Sequence, residues 1–230
     1  NLGNGNWGVK KDSLLAYNSE NGNFKPLPFD FTRASSATVV NKAGLIETVG
    51  SGEPRIDFSN DAKGALLLEP SRTNNIVLSN GFNDASWVKS NSTISSYSLG
   101  VGGSTDAWEL NATSAGGYIS RSVSSNGTQV YSIYAKAGNL NFLRLRVSGS
   151  ANPACFFDLV NGTIHNNDGI SASMNNVGNG WYKCQYTLTS NATTAYIYPA
   201  DTSGSISSSG SIYIQYAQLE QGSYATSYIP

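Results

Sequence analysis

Apolar and polar residues alternate along much of this chain, in short runs broken by turn residues. The clearest runs are Tyr131-Ser-Ile-Tyr-Ala-Lys136, Phe142-Leu-Arg-Leu-Arg-Val147, Cys155-Phe-Phe-Asp-Leu159 and Ala195-Tyr-Ile-Tyr-Pro199. A period of two is the signature of a strand with one buried face. No stretch of helical length keeps apolar residues three and four apart with capping residues around it. The pattern predicts strands at Ala65–Leu68, Thr105–Asn111, Gly117–Val123, Gln129–Lys136, Phe142–Val147, Cys155–Val160, Trp181–Thr189, Thr194–Tyr198 and Ser211–Leu219. Turns are signalled by Asn126-Gly127, Gly138-Asn139, Asn161-Gly162 and Asn179-Gly180. Many short strands at this spacing imply an antiparallel sandwich or barrel. The last predicted strand, followed by a polar tail, reads as the closing strand of a sandwich.

Residues 1–74 follow a different pattern. Pro26, Pro28, Pro54 and Pro70 interrupt brief apolar runs, and proline keeps such stretches out of central strands. We expect an irregular arm or small β subdomain over 1–74 and a sandwich over 75–230, joined near residues 74–83. Charge supports the division. Residues 1–115 hold nine basic and eleven acidic side chains, against five and four in residues 116–230. The first residue is Asn rather than Met, which suggests a processed or excised piece of a longer chain.

Alternation also sorts each strand into inner and outer residues. Tyr131, Ile133 and Ala135 share one face of their strand. Leu143, Leu145 and Val147 must point inward, as must Ile197, Cys155, Phe157 and Leu159. The opposite positions hold Tyr134, Arg144, Arg146, Phe156, Tyr196 and Tyr198, which we expect to share one outer face. Ring faces cover the apolar side of a pyranose, and Arg reaches hydroxyls or carboxylates. These six are the candidate glycan-binding residues; the plainer alternative is that they pack under a loop or against a partner subunit. Trp87, Trp108 and Trp181 read as core, with Trp181 anchoring the two sheets. Trp7 cannot be placed.

A net charge of −1 and 13% charged residues offer no basic stripe for nucleic acid and no patch for an anionic membrane. No apolar run is long enough to span a bilayer. Chemistry has little to work with. His165 is the only histidine, in the polar hairpin Gly162-Thr-Ile-His-Asn-Asn167, so neither an imidazole metal site nor a catalytic base is expected. Cys155 and Cys184 read as buried free thiols, a cross-strand bridge being the alternative. Glu47, Glu53, Asp57 and Glu69 lie among Arg33, Arg55 and Arg72, which argues for ion pairs holding the N-terminal unit together rather than for a pair of catalytic carboxylates. No catalytic residues and no cofactor are expected. Structural calcium is the one metal considered, with Asp106 and Glu220 as candidate carboxylates and the remaining ligands unknown from sequence. Five Asn-x-Ser/Thr triplets, at Asn91, Asn111, Asn126, Asn161 and Asn191, are what chance yields in a chain so rich in these residues.

Two groups of motifs carry a resemblance. The first is Phe31-Thr-Arg-Ala-Ser-Ser-Ala-Thr-Val-Val-Asn41 with Gly44-Leu-Ile-Glu47, Pro54-Arg-Ile-Asp57 and Leu66-Leu-Leu-Glu-Pro-Ser-Arg-Thr-Asn74. The second is Phe82 with Trp87, then Tyr131-Ser-Ile-Tyr-Ala-Lys136, Gly180-Trp-Tyr-Lys183 and Ala217-Gln-Leu-Glu-Gln-Gly-Ser-Tyr-Ala-Thr-Ser-Tyr-Ile-Pro230. Together they resemble a module of tail-fibre or head-fibre-like structural proteins of tailed bacteriophages. The C-terminal part is also similar to jelly-roll carbohydrate-binding modules of bacterial polysaccharide-degrading enzymes. The resemblance implies a non-enzymatic jelly roll on the virion surface, homotrimeric, in contact with other virion proteins and with host-surface glycan, with neither nucleic-acid binding nor membrane insertion. An architectural decoration module and the binding module of a secreted polysaccharidase are the alternatives. The chain departs from the fibre pattern in lacking a coiled-coil or β-helical shaft.

Overall fold

The computed structural model describes residues 31–97, 99–165, 168 and 170–230, and of the first thirty residues the backbone of three strands. The Trp7 side chain, Pro28, Asn166 and Asn167 therefore lie outside the described residues. The chain forms two compact units. One holds residues 1–71 and 227–229, the other residues 72–226 and Pro230. Where the sequence reading runs the second unit from 75 through residue 230, residues 227–229 belong with the first.

In the first unit β1 (Trp7–Lys10), β2 (Ser13–Asn18) and β3 (Asn23–Pro26) form an antiparallel sheet. Two short ladders follow, β4 (Ala37–Val40) with β5 (Ile46–Val49) and β6 (Ile56–Asp57) with β7 (Ala65–Leu66). The expected ion pairs reduce to one among the described residues, Arg55 Nη1 to Glu69 Oε2 at 2.8 Å. The same guanidinium donates to Ser227 Oγ and the Thr38 carbonyl, while Glu69 accepts from the Ser227 amide and hydroxyl. The other charges serve the backbone instead. Arg33 donates to the carbonyls of Ser35, Val49, Gly50 and Glu53, and Asp57 accepts from the Val40 amide. Elements this short leave many backbone groups unpaired, and charged side chains satisfy them.

The second unit is a β-sandwich of β8 (Val88–Ser90), β9 (Ser92–Tyr97), β10 (Ala107–Ala112), β11 (Tyr118–Ser125), β12 (Thr128–Ala137), β13 (Phe142–Gly149), β14 (Ala154–Asp158), β15 (Thr163–His165), β16 (Ala172–Gly178), β17 (Trp181–Thr189), β18 (Ala192–Ala200) and β19 (Gly210–Gln221). Sheet I has the order β16-β17-β12-β19-β10-β9 and sheet II the order β15-β14-β13-β18-β11-β8, all neighbours antiparallel. The chain passes from sheet to sheet as it proceeds, a jelly-roll-like arrangement. Tyr131, Ile133 and Ala135 meet Leu143, Leu145, Val147, Phe157 and Ile197 in the dry layer between the sheets. Every inward residue named from alternation lies in that core.

One local irregularity keeps the core continuous. Along β19 the inner residues are Ile212 and Ile214, then Ala217 and Leu219, so the alternation slips by one. The slip is a bulge: Ser132 pairs with Gln218 and Tyr134 with Gln215. Tyr216 sits in the bulge at φ 55°, a region costly for a bulky residue, and its hydroxyl donates to Asp106. Without the slip, Tyr216, Gln218 and Glu220 would face the apolar layer.

The outer face of sheet I is closed by the chain's own segments. Trp181 is fully buried, but on this outer face: Cys184, Tyr186 and Leu188 of its strand face the core and Trp181 has the opposite parity. It lies against the segment around the short 3-10 turn Val101–Gly103, donating its indole N–H to the Leu99 carbonyl at 3.0 Å. It therefore anchors a loop, not the two sheets. Gln215 ties the same loop, accepting from the Val101 amide and donating to Ser104 and Asp106. Farther along, buried Glu220 accepts from the Gln218 amide group and from both the amide and hydroxyl of Thr226. Lys183 donates to the Thr226 carbonyl. Gly222 has φ 135°, and a Cβ there would run into the Arg72 guanidinium, which donates to the Gln221 carbonyl and lies 5.7 Å from the Tyr224 ring centroid. The two carboxylates considered for calcium, Asp106 and Glu220, thus spend their lone pairs on protein donors.

Cys155 of sheet II and Cys184 of sheet I are free and buried on the two inner faces. Burial pushes the Cys155 thiol up to about 12 and raises Cys184 well above its ordinary range.

Two outcomes follow. Glu220→Ala strands the Thr226 donors in a buried site and lowers stability by about 2–4 kcal/mol in urea denaturation; a change near zero would show that Glu220 does not hold the tail. A thiol reagent at pH 8 leaves the native chain essentially unlabelled and modifies both cysteines in denaturant. Rapid native labelling of Cys155 would contradict its burial.

Candidate functional site

Residues opposite one another on neighbouring strands form ladders across a sheet. On the outer face of sheet II one ladder runs His165, Phe156, Arg144, Tyr198 across β15, β14, β13 and β18. Tyr118 of β11 continues it, its ring 5.1 Å from that of Tyr198. The adjacent ladder carries Arg146, Tyr196 and Ser120. The Arg144 guanidinium lies between two rings, 5.5 Å from the Phe156 centroid and 4.9 Å from that of Tyr198, and Arg146 lies 5.1 Å from that of Tyr196. Tyr196 and Tyr198 are stacked at 6.0 Å, with Tyr118 edge-on to Tyr196.

Five of the six residues selected by alternation are therefore neighbours on one face. The sixth, Tyr134, is not. Its strand, β12, belongs to sheet I, where its ring lies 5.9 Å from Lys183 Nζ and 6.0 Å from the Tyr216 ring. Alternation states which side of its own strand a residue takes, not which sheet that strand joins. The face contains further residues: Tyr118, which sequence reasoning did not select, and Phe142, which alternation puts outward beside Arg144 and Arg146 but which is not among the six. Tyr118 precedes the inward Ile119 and so is outward by the same parity rule. Phe142 shares a strand with Arg144, and its ring is edge-on to His165 at 5.9 Å. His165 lies in the expected hairpin, on its edge strand β15 and half-buried rather than in a solvated loop, and shares a 2.8 Å hydrogen bond with Thr163 Oγ1.

The electrostatics of the face are unbalanced. Among the described residues neither Arg144 nor Arg146 has a carboxylate within ion-pair distance. Arg144 is half-buried, and its Nε is buried with no hydrogen-bond partner. Desolvation holds its pKa below the ordinary guanidinium range; Tyr198 opposes the shift, the like charge of Arg146 adds to it, and Asp168 opposes it from beyond ion-pair distance. Arginine stays protonated at neutral pH regardless. Arg146 donates a long hydrogen bond, 3.4 Å, to Asn152 Oδ1 and interacts with the Tyr198 hydroxyl. The Tyr198 phenol is raised by burial, against the pull of the two arginines. Arg55, by contrast, is buried with three acceptors in place, one of them a carboxylate.

This combination of ring faces and unpaired fork donors suits a ligand that offers C–H surface and oxygen acceptors. Among the described residues, no group of three or more His, Cys, Asp or Glu side chains is placed to hold a metal ion, and no helix is long and apolar enough to cross a membrane. No protein-family model matches this chain, and no curated protein matches it. Fold and face together define its class as a jelly-roll-like β-sandwich with an arginine–aromatic outer surface.

A guanidinium kept for a ligand contributes little to folding, because its desolvation offsets its ring contacts. Arg144→Met should leave stability within about 1 kcal/mol of wild type, whereas Leu145→Ala, its inward neighbour, should lose about 2–5 kcal/mol in the same denaturation assay. A large loss for Arg144→Met would make this arginine a structural residue.

Proposed function

We propose that this chain is a non-catalytic domain of a virion surface fibre that binds host-surface glycan through the outer face of sheet II. One observation carries the reading: rings of β14 and β18 flank the two guanidiniums of β13, and among the described residues neither guanidinium is paired to a carboxylate. A pyranose presents an apolar C–H face to such rings and hydroxyls to the donors at their edges. The resemblance of the N- and C-terminal motifs to phage fibre modules supports the setting on a virion. A shallow platform gives weak single-site affinity, which a trimeric fibre repeated over a particle raises by multivalency.

A glycan array probed with multivalent protein tests the reading. Wild type binds a defined glycan set. Tyr196→Ala and Arg144→Ala each lower affinity about tenfold or more, a loss of about 1.4 kcal/mol per decade. Tyr134→Phe, on the other sheet, leaves binding unchanged. Absence of glycan binding by wild type, with these residues buried in the assembled particle, would favour an architectural module instead.

A further inference from the structure

Residues 116–230 are poor in charge, with five basic side chains, yet two of the five stand two positions apart on a single strand face. Side chains at that spacing lie about 7 Å apart and reach the same ligand. From this placement we propose that the face recognises an acidic saccharide, a uronic acid or related sugar acid, with its carboxylate on Arg144 and Arg146 and its ring on Tyr196. This inference rests on the glycan reading above and narrows it to a charge class.

A neutral sugar needs no cation. Aromatic rings with amides or hydroxyls suffice for it, and this chain is rich in both. Holding two guanidiniums side by side without a counter-ion raises the energy of the free protein through mutual repulsion and incomplete hydration. A carboxylate relieves both terms at once. The rings occupy the π surface of the guanidinium and leave its in-plane N–H edge for an acceptor, the geometry in which arginine takes a carboxylate with two parallel hydrogen bonds. Structural arginines in this chain are occupied by protein acceptors, Arg55 by Glu69 at 2.8 Å and Arg33 by backbone carbonyls.

The test uses the intact chain and titration calorimetry with oligogalacturonate, oligoalginate, hyaluronan oligomers and oligosialate, each beside its carboxyl-methylated form, at low and high salt. At least one acid is expected to bind about tenfold more tightly than its methyl ester, with the difference shrinking as salt rises. Arg144→Gln combined with Arg146→Gln should abolish the preference for the acid, and Tyr196→Ala should weaken acid and ester alike. Equal binding of acid and ester, or a preference that survives the double substitution, overturns the acidic assignment while leaving glycan binding in place. Binding to dextran sulfate without binding to any of the carboxylates overturns the choice of carboxylate. Failure of every saccharide, charged or neutral, on these oligomers and on the array removes the glycan reading itself. Circular dichroism of each variant confirms that a lost preference is not lost fold.

Discussion

Pairing two sheets face to face dries only one side of each, and everything else in this sandwich depends on how the two remaining sides are treated. Sheet I and sheet II contribute equally to the core, with Tyr131 and Ile133 of one against Leu143 and Leu145 of the other. Their outer faces are treated in opposite ways. On sheet I the chain supplies its own cover, with the 99–104 segment over Trp181 and the residues after β19 drawn in by Glu220. Buried polar groups there are satisfied by neighbours, the condition under which burial of a Glu or Gln is tolerated. On sheet II the outer groups are rings and guanidiniums that satisfy one another only in part.

That partial satisfaction is where the physical argument for a site lies. A cation over a ring face gains about 0.5–2 kcal/mol, depending on how far water is excluded. Removing half of a guanidinium's hydration without supplying an acceptor costs a similar amount or more. The net contribution of Arg144 to folding is therefore small, and packing alone gives no reason to place an arginine between Phe156 and Tyr198, where methionine or leucine would fill the space without the desolvation. Places where a chain departs from the locally cheapest choice, while obeying it elsewhere, are where function concentrates. Sheet I also sets a cation by a ring, Lys183 at 5.9 Å from Tyr134, but there the ammonium has the Thr226 carbonyl as an acceptor.

Alternation in the sequence reveals the central strands and their parity and is silent on the edges. The predicted strands cover β10 to β14 and β17 to β19, while β8, β9, β15 and β16, which read as loop, are the four edge strands of the two sheets. Edges face solvent along one side and are composed accordingly: Ser92–Tyr97 is mostly serine and Ala172–Gly178 carries adjacent asparagines. Their β character comes from a neighbour's unpaired backbone, which local pattern does not contain. The same limit explains Tyr134 and Trp181. Each has the parity its strand predicts, but parity cannot say which sheet the strand enters or whether a remote loop will fold over it. The bulge at Tyr216 was hidden for a related reason: the strand predicted over Ser211–Leu219 runs straight through it, and only the register with β12 reveals the slip.

The residues that carry the family resemblance and those that form the candidate site are nearly separate sets, and the structure gives a reason. In the C-terminal run, Leu219 fills the core, Glu220 holds Thr226, Gly222 makes room for Arg72, Tyr224 lies beside that same guanidinium, and Ser227 bonds Glu69. Each position is spoken for by closing the fold, so a match there speaks to architecture. The outer positions of Arg144, Arg146 and Tyr196 point away from the core, unlike Asp158 of β14, which accepts from the Val160 and Asn161 amides and fixes a turn; serine or threonine at the first three is compatible with a sandwich. What occupies them is free to follow the ligand. Residues that close the fold therefore speak to architecture, and the ligand is to be read from Arg144, Arg146 and the rings beside them.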